Sequence, residues 1–126
     1  MTKILEFYKC GLCGNISMIT HTGDGELVCC GEKMTRLEEQ TADPKTQKHV
    51  PLIEKTKTGI KVTVGSTKHP MKKEHYIQWI SVKAGRNFYI RALRPGEEPE
   101  AEFPVDDTDV KAMEFCNVHG IWTNGK

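Results

Sequence analysis

Cysteine placement constrains this chain more than any other feature. Cys10-Gly11-Leu12-Cys13 is a CxxC, and Cys29-Cys30 follows beyond a turn-like Thr22-Gly23-Asp24-Gly25. Four thiolates in two short clusters point to one tetrahedral sulfur site for iron or zinc. Two disulfides are the competing reading. A CxxC facing a CC would strain such bridges, and Met1-Thr2-Lys3-Ile4-Leu5-Glu6 lacks the apolar run of a secretory signal. A reducing, cytoplasmic setting keeps thiols available for metal. The adjacent Cys29-Cys30 pair should narrow one S–metal–S angle, which suits a one-iron redox centre better than a structural zinc. Phe7, Tyr8, Ile16, Met18, Leu27 and Val28 fit short strands around the turn. A piece this small buries little core, so its metal should supply much of its folding energy.

A second group of donors lies further along. It comprises His49-Val50-Pro51, the run from His69-Pro70 to His75, and Cys116-Asn117-Val118-His119. Any one of these histidines alone would be an ordinary surface or core residue, as His21 is expected to be. Together they offer four imidazoles and one thiolate. A structural zinc site closes with four ligands. Five donors around an octahedral metal leave one position open to a substrate. Imidazole suits iron, copper, nickel or zinc, and a lone thiolate narrows that choice toward a redox metal. His49 and His69 should lie in loops, with His69 held extended by the proline after it. His75 should open a strand. Cys116 should end one, with Asn117-Val118 turning the chain so that His119 reaches the same metal. Such a site belongs at the end of a rigid scaffold, near solvent.

The remaining pattern is all-β. Lys61-Val62-Thr63-Val64, His75 to Val82, Asn87 to Arg91, Ala112 to Cys116 and Ile121-Trp122 read as short strands separated by turns. A polar linker is expected from Glu38 to Pro44. The organisation expected is therefore a small metal-bound domain, 1–37, followed by a β-sandwich domain, 38–126. Net charge is +1, which argues against wholesale nucleic-acid binding, and no apolar run matches a membrane span. That balance hides an asymmetry. Between Lys45 and Lys73 the chain carries Lys48, Lys55, Lys57, Lys61, Lys68 and Lys72 against Glu54 alone, whereas Glu97 to Asp109 carries seven acidic residues and no basic one. A positive rim near an open metal would draw in a small anion.

These motifs resemble the desulfoferrodoxin family, the two-iron superoxide reductases, over nearly the whole chain. Cys10, Cys13, Cys29 and Cys30 match the rubredoxin-like Fe(Cys)4 ligands of a desulforedoxin-like domain. Lys48-His49-Val50-Pro51, His69-Pro70 through His75 and Cys116-Asn117-Val118-His119 match a neelaredoxin-type catalytic domain in the expected order. There the resemblance implies His49, His69, His75 and His119 as equatorial ligands and Cys116 as the axial thiolate of an Fe(His)4(Cys) centre. It further implies two iron ions per chain, an immunoglobulin-like sandwich, a homodimer, and electrons from a small donor such as rubredoxin. One departure stands out. The family usually has a glutamate where this chain has Gln47, and its carboxylate can close the sixth position of the oxidised iron. An amide has nearly the same shape but no charge. Gln47 is therefore expected to spare the reduced reaction and alter the oxidised site.

The expected activity is one-electron reduction of superoxide to hydrogen peroxide, with Lys48 attracting the anion. A pure electron carrier, a structural zinc protein and a superoxide dismutase are the alternatives. The open position argues against the first and the five-donor set against the second. Thiolate donation should lower the iron potential and so disfavour the dismutase. Glu114, two residues before Cys116, either tunes the thiolate from the same strand face or faces solvent. Met71, Trp79, Phe115 and Trp122 are expected in the core.

Overall fold

The computed structural model describes residues 1–41, 48–66 and 69–126. Gln47, Lys45 and Lys68 fall outside the described residues. The chain divides into two compact units, Met1–Glu38 and Glu39–Lys126, and no helix occurs among the described residues.

The first unit is built from five very short strands. β1 (Phe7–Lys9) lies between β2 (Ile16–Met18) and β5 (Thr35–Arg36), both antiparallel to it. β3 (Val28–Cys29) and β4 (Glu32–Lys33) form a separate hairpin. Its buried apolar side chains are Phe7, Cys10 and Met34. Burying a Phe or Met side chain contributes only about 1.5–3 kcal/mol. That is small against the entropy of ordering a unit of this length, as the sequence leads one to expect.

The second unit is a sandwich of two sheets. One has five strands in the order β10 (Asn87–Ala92), β9 (Ile77–Ala84), β12 (Lys111–Cys116), β13 (Gly120–Thr123) and β6 (Glu39–Gln40). The other has three: β11 (Glu100–Phe103), β8 (Ile60–Val64) and β7 (Pro51–Lys55). In β8 the β-branched Ile60, Val62 and Val64 are fully buried while Lys61 and Thr63 are half-buried. This is the two-residue period of a strand with one face on a core. Facing them are Ile80, Val82, Ala112 and Cys116 of the larger sheet. On that sheet's other face Trp79 stacks on Phe115 across β9 and β12, with ring centroids 6.0 Å apart.

Two local expectations are corrected. The expected linker contributes a strand: Glu39 and Gln40 pair in parallel with Ile121 and Trp122 as β6, while residues 42–44 lie outside the described residues. β9 begins at Ile77, so His75 does not open a strand. Instead His75 closes a tight turn with Lys72, each peptide N–H donating to the other's carbonyl at 2.9 and 3.0 Å. The alternation around Ile77 and Trp79 starts too late to include it.

Candidate metal centres

In the first unit the four cysteine sulfurs lie within 4.8 Å of one another. Cys13 Sγ is 3.5 Å from Cys29 Sγ, and Cys29 Sγ is 3.9 Å from Cys30 Sγ. Sulfurs about 2.3 Å from a tetrahedral metal stand about 3.8 Å apart, so the spacing fits a single ion. The Cys29 and Cys30 sulfurs, expected to be drawn together, are farther apart than those of Cys13 and Cys29. Cys30 has φ +54°, in the left-handed region, and this turn of the backbone lets two adjacent side chains converge without pinching. Peptide N–H groups of Cys13 and Leu12 draw Cys10 down to about 6, whereas the neighbouring sulfurs push Cys30 up to about 12. Four thiolates repel one another, and a bound cation reverses that penalty.

In the second unit His49, His69, His75, Cys116 and His119 bring one ligand atom each within 4.8 Å of all the others. The four imidazoles form a closed ring. Neighbouring centroids are separated by 4.9 Å (His49–His69), 4.9 Å (His69–His75), 5.0 Å (His75–His119) and 4.6 Å (His119–His49), with planes inclined at 65–85°. His49 Nε2 stands 3.0 Å from His119 Nδ1, and Cys116 Sγ stands 3.7 Å from the same nitrogen. Nitrogens about 2.1 Å from one metal are about 3.0 Å apart at right angles and about 3.4 Å apart in a tetrahedron. The His49–His119 nitrogens thus have the spacing of neighbouring ligands on one ion, and the thiolate offers a fifth donor within reach of the ring.

The protonation states agree with that role. His69 Nδ1 donates to Pro70 O at 2.7 Å, which leaves Nε2 with its lone pair. Nε2 of His69 and of His75 are buried and have no hydrogen-bond partner among the described residues. Such buried atoms are costly unless something else binds them. Burial, reinforced by the other histidines, lowers His69 to about 4 and also lowers His75, so both are neutral and ready to ligate at pH 7. Lys48 adds to the depression of His75, after burial, His119 and His49, which places its charge within reach of the site. Burial raises Cys116, while peptide N–H groups of Val118 and His119 favour its thiolate.

Each donor is aimed by its local backbone. Gly65 has φ +78° and lies so close to Lys48 that a Cβ there would meet Lys48 backbone atoms at 2.6–2.7 Å. Its N–H donates to Val50 O at 3.0 Å. A glycine is thus required to seat the Lys48–His49 segment. A register shift between Phe115 and Cys116 displaces the pairing of β12 with β9, so that Cys116 lies opposite Ile77, and re-aims the cysteine. Trp122, expected simply as core, stacks on His49 at 4.8 Å and 18°, and its Nε1–H donates to His119 O at 3.2 Å. Gln40, expected only as part of a polar linker, donates from Nε2 to His119 O at 2.8 Å and to Ile121 O at 3.2 Å. Glu114 is fully buried, which overturns its solvent-facing reading, and its charge works against ionisation of Cys116. His49, His69 and Cys116 are buried, His75 half-buried and His119 exposed, so the site opens at one side. His21 is exposed and joins neither group.

A family model described as Desulfoferrodoxin matches residues 41–125, and one described as Desulfoferrodoxin, N-terminal domain, matches residues 2–37. The chain belongs to the desulfoferrodoxin family. The desulfoferrodoxin of Syntrophotalea carbinolica is 52% identical to it over 98% of each chain. A superoxide reductase of Pyrococcus horikoshii is 32% identical, covering 68% of this chain and 90% of its own. Among solved structures, the superoxide reductase from Treponema pallidum superposes over 100% of both chains, with a TM-score of 0.77 and 29% identity. The four-sulfur and four-imidazole-plus-thiolate groups match the two iron centres of desulfoferrodoxin.

Proposed function

We infer that this desulfoferrodoxin is a superoxide reductase, taking superoxide, one electron and two protons to hydrogen peroxide. The observation that carries the reading is the closed ring of four imidazoles with one thiolate among the same donors. When bound there, iron supplies the electron and an open position for the small anion.

The protein's own groups do the rest. The half-exposed Lys48 precedes a donor residue, and its ammonium attracts superoxide and offers it a proton-donating N–H. The exposed edge at His119 admits water, which carries the protons that release the product. Burial keeps the imidazoles of His69 and His75 neutral and raises Cys116, and the N–H groups of Val118 and His119 partly offset that rise. With iron bound, the Cys116 thiolate would donate electron density to it, and the exposed edge at His119 would let solvent supply protons promptly. We assign Lys48 and Gln47 to the reacting site, and Gln47 to the state of its oxidised form.

Each turnover consumes one electron, so an outside reductant is needed. We propose a small rubredoxin-like donor, a homodimer and a cytoplasmic location, on the family resemblance. No helix of the described residues is long and apolar enough to cross a membrane. The test is anaerobic addition of superoxide to reduced, iron-loaded protein. One equivalent should develop the thiolate-to-ferric absorption, and zinc-loaded protein should stay silent. Iron-loaded protein that remains ferrous under superoxide would refute the reading.

A further inference from the structure

We propose that Asn117 is a positioning residue that fixes the His75 imidazole relative to the Cys116 thiolate, and so sets how firmly and in what electronic environment the iron is held. The proposal rests on the reading of this site as a five-donor iron centre. His75 comes from the turn before β9, whereas Cys116 ends β12 and His119 comes from the turn after it. The register shift at Phe115 and Cys116 interrupts the ladder between these strands just where the two sets of donors must meet. Asn117 restores the connection. Its peptide N–H donates to Tyr76 O at 3.3 Å, its Oδ1 accepts from Tyr76 N–H at 2.9 Å, and its Nδ2 donates to Glu74 O at 3.1 Å.

Tyr76 and Glu74 flank His75, so one amide grips the peptide groups on both sides of it. The N–H and C=O of His75 itself are taken by Lys72. Both peptide groups around this imidazole are thereby hydrogen-bonded. His69 is held differently, through its own ring nitrogen on Pro70 O. For His75 the aim of the buried Nε2 comes from the backbone, and the backbone is held from beside the thiolate. The task requires a donor and an acceptor on one short side chain, which asparagine provides. Aspartate would keep the bond from Tyr76 N–H but set a carboxylate oxygen against Glu74 O. Contacts of this kind, one step removed from the metal, commonly alter its affinity by about 10–100-fold.

Asn124 provides a matched control at the other end of β12. Its Oδ1 accepts from Ala112 N–H at 3.2 Å, and its Nδ2 donates to Val110 O at 2.9 Å, both remote in sequence from His75. Asn117→Ala, Asn117→Asp and Asn124→Ala in the full iron-loaded chain would be compared with the wild type. The readouts are thermal midpoint, the thiolate-to-ferric absorption band, and the rate at which excess EDTA removes iron from the His/Cys site. The expected result is a similar loss of midpoint in the two alanine variants. Only the Asn117 variants should show a displaced band and iron loss accelerated by about 10–100-fold. Asn117→Asp is nearly isosteric and carries the test if Asn117→Ala does not fold. An unchanged band and unchanged iron loss in a folded Asn117 variant, equal to Asn124→Ala, would overturn the proposal. The comparison uses no superoxide, so it stands or falls separately from the reductase reading.

Discussion

Replacing Gly65 with alanine should damage the catalytic site through the backbone alone. The new Cβ would meet the Cα, C and O of Lys48 at 2.6–2.7 Å, whereas ordinary contact begins at 3.4 Å. The Lys48 backbone must retreat by roughly 0.7–0.8 Å, and it carries His49 with it. Gly85, in the turn between β9 and β10, is the control, since its φ is +63° but a Cβ there meets nothing within 4 Å. Alanine in the left-handed region costs about 1–2 kcal/mol. For a unit of this size that lowers the thermal midpoint by roughly 4–15 °C. Gly85→Ala should show this loss only. Gly65→Ala should lose at least about twice as much, and misplacement near 1 Å costs on the order of 100-fold in rate. The assays are the thermal midpoint of the iron-loaded chain and its rate of superoxide consumption. If Gly65→Ala matches Gly85→Ala in both, the close approach to Lys48 does not seat the site.

Three further outcomes follow from the same geometry. Lys48→Ala should slow superoxide capture by roughly tenfold or more and flatten its salt dependence, with iron content unchanged, because it removes attraction and not a ligand; stopped-flow at two ionic strengths checks both. Cys13→Ser should empty or weaken the four-sulfur centre and loosen the first unit, seen as rapid hydrogen exchange in 1–38, while the second unit still reacts with superoxide; loss of that reaction would make the first iron essential. In metal-free protein His69 takes up its proton near pH 4 when folded but near 6.5 when unfolded. Unfolded chains therefore bind more protons between those values, so this contribution is complete above about pH 6.5 and is lost as pH falls toward 4. The urea midpoint of the second unit should be lower at pH 5 than at pH 7, and an equal midpoint would contradict a neutral buried His69.

The donors themselves were legible because their signal is chemical and local. CxxC, CC, His-Pro and CxxH state the ligand types and short spacings, and the β-branched run at Lys61–Val64 states a strand. Contacts that depend on strand pairing were not legible. Gln40 sits in a stretch that reads as polar linker, and only its pairing with Trp122 across β6 and β13 brings its amide to His119 O. Trp122 reads as core because apolar rings usually are, yet its face lies on His49. His75 lies two residues before β9 because the alternation that reads as strand runs backward into a turn that Lys72 closes. The separation of the Cys29 and Cys30 sulfurs depends on one backbone torsion, the positive φ of Cys30, which no spacing in the sequence states.

The most direct test of the central claim is the peroxide formed per superoxide consumed, measured on iron-loaded, pre-reduced protein with an electron donor present. Reduction at the centre of His49, His69, His75, Cys116 and His119 requires one peroxide for each superoxide. One peroxide for every two would mean dismutation, and would contradict the account.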